Sequence, residues 1–393
     1  VFAHVYCFIF SEQVTLNSKS TRWQTILLQL FLKPDKPQAQ NQTHIAVFDD
    51  MRALACLCVV LYHAAGSFNS IKDIPAHAFD WWVGNAYTGL AVNFLAPIFF
   101  IISGAIFLRP ARADESVPSF LKKRARAILP PFLIASLVYY LYTHAANGTI
   151  NLLNFIAITF GESQYYHLWF FYTLIGLYFL VPILRPLFTA ENRSRVEYLL
   201  VLWVIGTAVV PLLQKFTPIR VAIFPTAFSN YTGYFLFGGY FFNLRQWNIR
   251  KPWAVGLPIL MTSITIFGSW FLSLAEGHYD NFFSNQIGLN IIISTVCLVS
   301  LFADDPLAAL HRQSPMASGI IQTISRQSLY IYIFHPLANE MLPYALPFLK
   351  VGVLNPILRI PLTALFSVIL ITLAAELASR GITILVQKRR QTG

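Results

Sequence analysis

The chain has 393 residues, of which 56% are hydrophobic and 11% charged, and its formal net charge is +11. A soluble domain carries roughly 25% charged residues, and one this apolar would expose large sticky patches. Composition therefore excludes an ordinary water-soluble enzyme and points to a membrane protein, whose length allows about ten spans of roughly 20 residues each. The positive excess is not read as nucleic-acid binding, because no basic stripe alternates with exposed aromatic residues and because Lys and Arg gather in the cytoplasmic loops of membrane proteins. Among Cys7, Cys56, Cys58 and Cys297 there is no CxxC pair. The side chains of Cys56 and Cys58 leave a helix on different faces, so neither a disulfide framework nor a metal site is expected.

In chain order, residues 1–45 differ from the rest. Their apolar opening lacks a basic region and a small-residue cleavage site, and a polar stretch, KPDKPQAQNQTH, follows at 33–44. They are read as an N-terminal extension or start-site artefact, disordered or nearly so. Residues 46–386 are read as one all-α transmembrane domain. Apolar runs place spans near 46–68, 87–108, 128–146, 168–188, 197–214, 230–243, 254–275, 285–303, 320–342 and 356–385, and Pro130 and Pro131 are read as the start of the third helix. Residues 387–393 form a basic tail. With the first span starting in the cytoplasm, the cytoplasmic loops hold Arg109, Arg112, Lys122, Lys123, Arg124, Arg126, Arg185, Arg193, Arg195, Arg245, Arg250, Lys251 and Arg312, and then Lys388, Arg389 and Arg390. The opposite loops hold little beyond Lys72, Lys215, Arg220 and Lys350. That asymmetry predicts both termini in the cytoplasm.

Ionisable groups inside a span are costly and are functional candidates by default. The first span reads FDDMRALACLCVVLYHAAGSF at 48–68, with Asp49, Asp50 and Arg52 at one end and His63 deep toward the other. Eleven residues at 100° each make about three turns, so Arg52 and His63 share a face, roughly 16 Å apart. The pair suits a long substrate with an anionic head and a distant reactive end. Read blandly, Arg52 is a topological anchor and His63 a histidine bonded to a neighbouring helix.

His167 and His335 fall in the same half of the membrane as His63 under this topology. Three imidazoles at similar depth suit proton abstraction from a hydroxyl near neutral pH. No HxxxH spacing supports a metal, and His167 also fits an interfacial aromatic belt with Tyr165, Tyr166 and Trp169. Ser103 and Gly104 read as a close helix contact. The basic run FLKKRARA at 120–127 reads either as an anchor or as a phosphate-capturing cluster of Lys123, Arg124 and Arg126. Glu340 and Glu376 are boundary carboxylates without an assigned partner. No GxSxG elbow and no Walker loop occurs, so a covalent serine intermediate is not required.

These residues, with FFIISG (99–104), KKRARAILPPF (122–132), HLWFFYTLIGLYFLVPILRP (167–186) and ISRQSLYIYIFHPL (324–337) in that order, resemble the acyltransferase-3 family of membrane acyltransferases over about 46–386. Within it the chain is similar to the type that O-acetylates enterobacterial common antigen. The resemblance implies a multi-pass protein of the bacterial inner membrane that moves an acyl group, expected to be acetyl, from acyl-CoA to a hydroxyl of an envelope glycan or lipid-linked sugar. It also implies no permanently bound cofactor and acetyl-CoA as the donor substrate. His63 would be the catalytic histidine, with Arg52 its partner, and His335, Tyr330 or Ser103 would stabilise the oxyanion. Arg52, Lys123, Arg124 and Arg126 would hold the donor's phosphates, although the family's Arg-x-x-Arg element reads Lys123-x-x-Arg126 here. His167, Trp169 and Tyr330 would contact the acceptor. The same ten spans and polar midplane would also serve a transporter or flippase of a lipid-linked sugar, and a scaffold of a glycan assembly complex is a third reading.

Overall fold

The computed structural model describes residues 32–34, 43–69, 78–110, 115–145, 148, 150–221, 230–245 and 247–392, with the backbone alone for 32–45, 67–69 and 379–392. Most of the extension at 1–45, Arg112, Lys72 and the side chains of the basic tail lie outside the described residues. In chain order the helices are α1 (Thr43–Asn69), α2 (Ala78–Ala91), α3 (Ala96–Phe107), α4 (Val117–His144), α5 (Leu152–Gly161), α6 (Trp169–Leu184), α7 (Arg193–Val204) and α8 (Val210–Phe216). They continue with α9 (Thr232–Asn243), α10 (Lys251–Glu276), α11 (Leu289–Phe302), α12 (Ala308–Gln313), α13 (Pro315–Arg326), α14 (Ser328–Ala345) and α15 (Pro356–Thr392). A two-stranded antiparallel ribbon pairs β1 (Leu32–Pro34) with β2 (Trp247–Ile249). Six helical stretches among the described residues are long and apolar enough to cross a membrane: Ala78–Phe107, Val117–His144, Tyr166–Leu187, Arg193–Phe216, Lys251–Glu276 and Pro356–Ala378.

Several elements depart from the sequence reading. The third helix does not start at Pro130 and Pro131, which lie inside α4; Pro118 occupies its first turn, where a missing N–H costs nothing. A membrane helix carries interior prolines because neighbouring groups take up the freed carbonyls. The run read as one span at 320–342 is broken at Gln327 into α13 and α14. At 12 residues, α13 is about 18 Å long, short of a span. Helix α5 was not foreseen. The Asn151 side chain caps it by accepting from the N–H groups of Leu153 and Asn154 at 2.8 and 3.3 Å.

The described chain forms two compact units. The first comprises residues 1–99, 201–227 and 245–393. Its core joins α1, α2, α14 and α15 through Val60, Ala64, Val83, Ile331, Ile360, Ala364 and Val368. Buried amides tie α2 to α10: Asn85 donates to the Ile266 carbonyl at 2.8 Å, and Asn93, in the turn after α2, to Thr262 Oγ1 at 3.0 Å. In the second unit, residues 100–200 and 228–244, aromatic rings fill the space between α3, α4 and α6: Phe107 meets Tyr178 at 5.2 Å and Phe132 meets Phe171 at 5.6 Å.

At one edge of the first unit, Lys215 Nζ lies 2.9 Å from Glu276 and 2.7 Å from Asp280. Asp280 also accepts from the Phe282 N–H at 2.7 Å. Burial works to raise the Asp280 pKa, but these partners hold it below the ordinary carboxylate range. A group with a depressed folded pKa contributes stability that is fully present above its unfolded pKa, about 3.9, and is lost as pH falls through the folded value. Asp280→Asn is expected to lower the thermal midpoint in detergent at pH 7, and the gap to wild type closes below about pH 4. Unfolding scans at the two pH values measure this; a gap that does not depend on pH would contradict it.

Candidate active site

In the first unit α1 runs beside α13 and α14, and their contacts advance together. Arg52 meets Ser325, Cys56 meets the Ser328 carbonyl, and His63 meets His335. Helix α1 is unbroken from Thr43 to Asn69, so the eleven-residue spacing does put Arg52 and His63 on one face, about 16 Å apart along the axis.

At the Arg52 end the guanidinium is held by a closed set of hydrogen bonds. Arg52 donates to Asp49 Oδ1 at 3.0 Å and to Ser325 Oγ at 3.2 Å, while Ser325 Oγ donates to Asp49 Oδ1 at 2.7 Å. The Arg52 side chain is still 28% exposed, so its charge is oriented and remains reachable. The neighbouring carboxylate does different work. Asp50 is buried and bonds His311 Nε2 at 2.9 and 3.1 Å, and His311 Nδ1 lies 3.0 Å from Ser318 Oγ. This anchors α12 and α13 to α1. Reasoning from the sequence missed His311, Ser318 and Ser325, because no local spacing links groups more than 260 residues apart. A hydrogen bond to a charged group is worth about 1.5–3 kcal/mol. Ser325→Ala is therefore expected to lower the thermal midpoint in detergent at pH 7, and Ser325→Thr to restore it. Unfolding scans of the purified variants decide the point.

At the other end the His63 and His335 ring centroids are 5.0 Å apart, tilted by 33°. His335 is fully buried and His63 half-buried. His335 Nδ1 lies 2.8 Å from the Tyr332 carbonyl. A carbonyl only accepts, so Nδ1 carries the proton and, in the neutral ring, Nε2 carries the lone pair. This changes one expectation. A neutral His335 in this tautomer accepts at Nε2 and does not donate to an oxyanion there. Nearby, Asn339 donates to the Val60 carbonyl at 3.4 Å and accepts from Ser367 Oγ at 2.6 Å, which joins α14 to α1 and α15.

Tyr330 is not brought to the imidazole pair. Five residues on a helix turn it about 140° away from His335. It is 47% exposed and lines an apolar groove of about 710 Å³ between α14 and α15, with Phe334, Leu337, Met341, Leu370 and Ala374. Glu376 pairs with Arg326 and accepts from Gln327 at 2.9 Å. Glu340 is exposed.

The second unit holds the other residues singled out. His167 is buried among Tyr139, Tyr165 and Tyr166, with centroids at 4.9, 5.8 and 5.6 Å. Trp169 stacks on Tyr231 at 4.6 Å. Lys123 and Arg126 are exposed on α4, whereas the Arg124 guanidinium lies 4.9 Å from the centre of the Phe107 ring. Glu115 balances part of this charge, with Lys123 at 2.9 Å and the buried Arg185 at 3.6 Å. Arg185 also donates to the Phe107 carbonyl at 2.9 Å. The sequence reading placed Arg185 in a loop; its burial beside Glu115 and Phe120 makes it part of the packing of this basic end. Among the described residues no three His, Cys, Asp or Glu side chains are grouped as metal ligands would be.

A family model described as Acyltransferase domain matches residues 45–376. Comparison with curated proteins and with solved structures gave no match.

Proposed function

Since the chain belongs to the acyltransferase-3 family of membrane acyltransferases, we propose that it moves an acetyl group from acetyl-CoA to a hydroxyl of an envelope glycan or lipid-linked sugar in a bacterial inner membrane. Acceptors of the enterobacterial common antigen kind are the first to try. Ten spans with both termini in the cytoplasm complete the reading, on the strength of the Lys and Arg asymmetry.

The observation that carries this is the imidazole pair: His63, on the α1 face that also bears an oriented Arg52, lies against His335 of α14. Arg52 supplies a cation for the phosphates of the donor. The thioester, at the end of an extended arm, is to reach the His63 level. His63 takes the proton of the acceptor hydroxyl as its oxygen attacks the thioester carbonyl. The tetrahedral intermediate then expels the CoA thiolate, which picks up the proton from His63. An ester and a free thiol result, with no covalent enzyme intermediate. With Nδ1 bonded to the Tyr332 carbonyl, the neutral His335 offers a lone pair at Nε2, so its part is to orient. It can take the N–H of His63 and leave the opposite His63 nitrogen as base, as the carboxylate does in a Ser–His–Asp triad. Tyr330, facing the groove, would contact the apolar part of a lipid-linked acceptor.

The test is donor consumption. Membranes containing the protein, given acetyl-labelled CoA, are expected to place label in extractable glycan, and membranes without it are not. A protein that neither binds nor consumes acetyl-CoA would overturn the reading in favour of transport.

A further inference from the structure

Helix α14 contains the dipeptide His335-Pro336, and the proline has a consequence for the histidine beside it. In a regular helix the carbonyl of residue i accepts from the N–H of residue i+4. For Tyr332 that donor would be residue 336, and Pro336 has no N–H. Pro336 lies inside α14, well past its first turn, so the missing bond is an interior one, where a proline costs about 3 kcal/mol relative to alanine. His335 Nδ1 reaches the Tyr332 carbonyl, at 2.8 Å.

We propose that Pro336 is a positioning residue for the acyl-transfer reaction. By withholding a backbone donor from the Tyr332 carbonyl, it reserves that carbonyl for His335 Nδ1–H, which fixes the ring and presents Nε2 as the accepting nitrogen in the pair with His63. The inference rests on the reading of His63 and His335 given above. It makes a mid-helix proline, ordinarily a defect, the device that sets the protonation pattern of a neighbouring imidazole. Such devices usually use a carboxylate or a carbonyl from another element; here the carbonyl belongs to the same turn.

The experiment exploits the opposed signs of structure and catalysis. Pro336→Ala supplies the N–H, which competes with His335 for the Tyr332 carbonyl. The helix gains a backbone hydrogen bond, so the thermal midpoint in detergent is expected to rise or hold. The imidazole loses its reserved acceptor, so kcat is expected to fall about tenfold with little change in KM for the donor. A residue that served packing alone would show turnover tracking stability. His335→Ala is run alongside. If it is inactive and Pro336→Ala keeps both wild-type kcat and stability, the role given to Pro336 is overturned and the histidine pair stands. If His335→Ala keeps full activity, the reading of the pair fails and the inference with it. If Pro336→Ala loses stability and turnover together, the proline is structural and the proposal is wrong.

Discussion

His63→Ala is expected to abolish acyl transfer, with kcat/KM falling by about 10²–10⁴, the range that a positioned general base contributes. The expectation comes from accessibility as much as chemistry. Of the two imidazoles at 5.0 Å, His335 is fully enclosed and committed through Nδ1 to the Tyr332 carbonyl, while His63 is half-buried. Only the reachable ring can meet a substrate hydroxyl. The substitution removes a ring from a partly open surface and leaves Val60 and Ala64, the buried residues of α1 around it, in place. Protein abundance in the membrane should therefore stay near wild type. Transfer of labelled acetyl on membranes matched for protein content separates the cases. Wild-type rates in a well-folded His63→Ala protein would remove His63 from the mechanism while leaving the family assignment untouched.

The second large effect is on folding. In the second unit α3 and α9 touch backbone to backbone at two reciprocal points. A Cβ added at Gly104 would overlap the Phe235 carbonyl, and one added at Gly238 would overlap the Ile101 carbonyl. Backbone cannot move aside as a side chain can, so even alanine forces the helices apart along a contact closed by Asn243 donating to the Ala105 carbonyl at 3.3 Å. Small residues allow such approach in membrane helices, where close van der Waals packing replaces the hydrophobic effect as the source of association. Gly104→Leu or Gly238→Leu is expected to cost several kcal/mol, comparable with the whole stability of many domains. Folded protein should not accumulate. Gly176→Ala on α6 is the control, since nothing lies within 4 Å of the added Cβ. Monodispersity and yield after detergent extraction report the outcome; a monodisperse Gly104→Leu protein at wild-type yield would contradict this packing.

Local pattern was enough to bring out α10, whose 26 residues form a long apolar run with few alternatives to a helix, and polar flanks marked the bounds of α1 and α9. It misplaced the start of α4. Two adjacent prolines look like a helix start, and nothing local says that neighbouring groups will take up the carbonyls they free. It merged α13 with α14 because hydropathy averaged over a window passes smoothly across a one-residue break at Gln327. It also passed over α5, whose ten residues fall short of a span.

The sequence by itself determined the membrane class, since composition alone rules out a water-exposed surface, and the alignment of Arg52 with His63, since helical period is a property of the chain. What only the tertiary structure decided is which groups separated along the chain meet. It brought His63 against His335, Arg52 and Asp49 against Ser325, and Asp50 against His311, and it turned Tyr330 away into a groove. The physical reason is that secondary structure is set by bonds within about four residues, whereas the pairing of helices depends on the fit of whole surfaces, carried by small side chains and buried polar contacts whose partners lie hundreds of residues away.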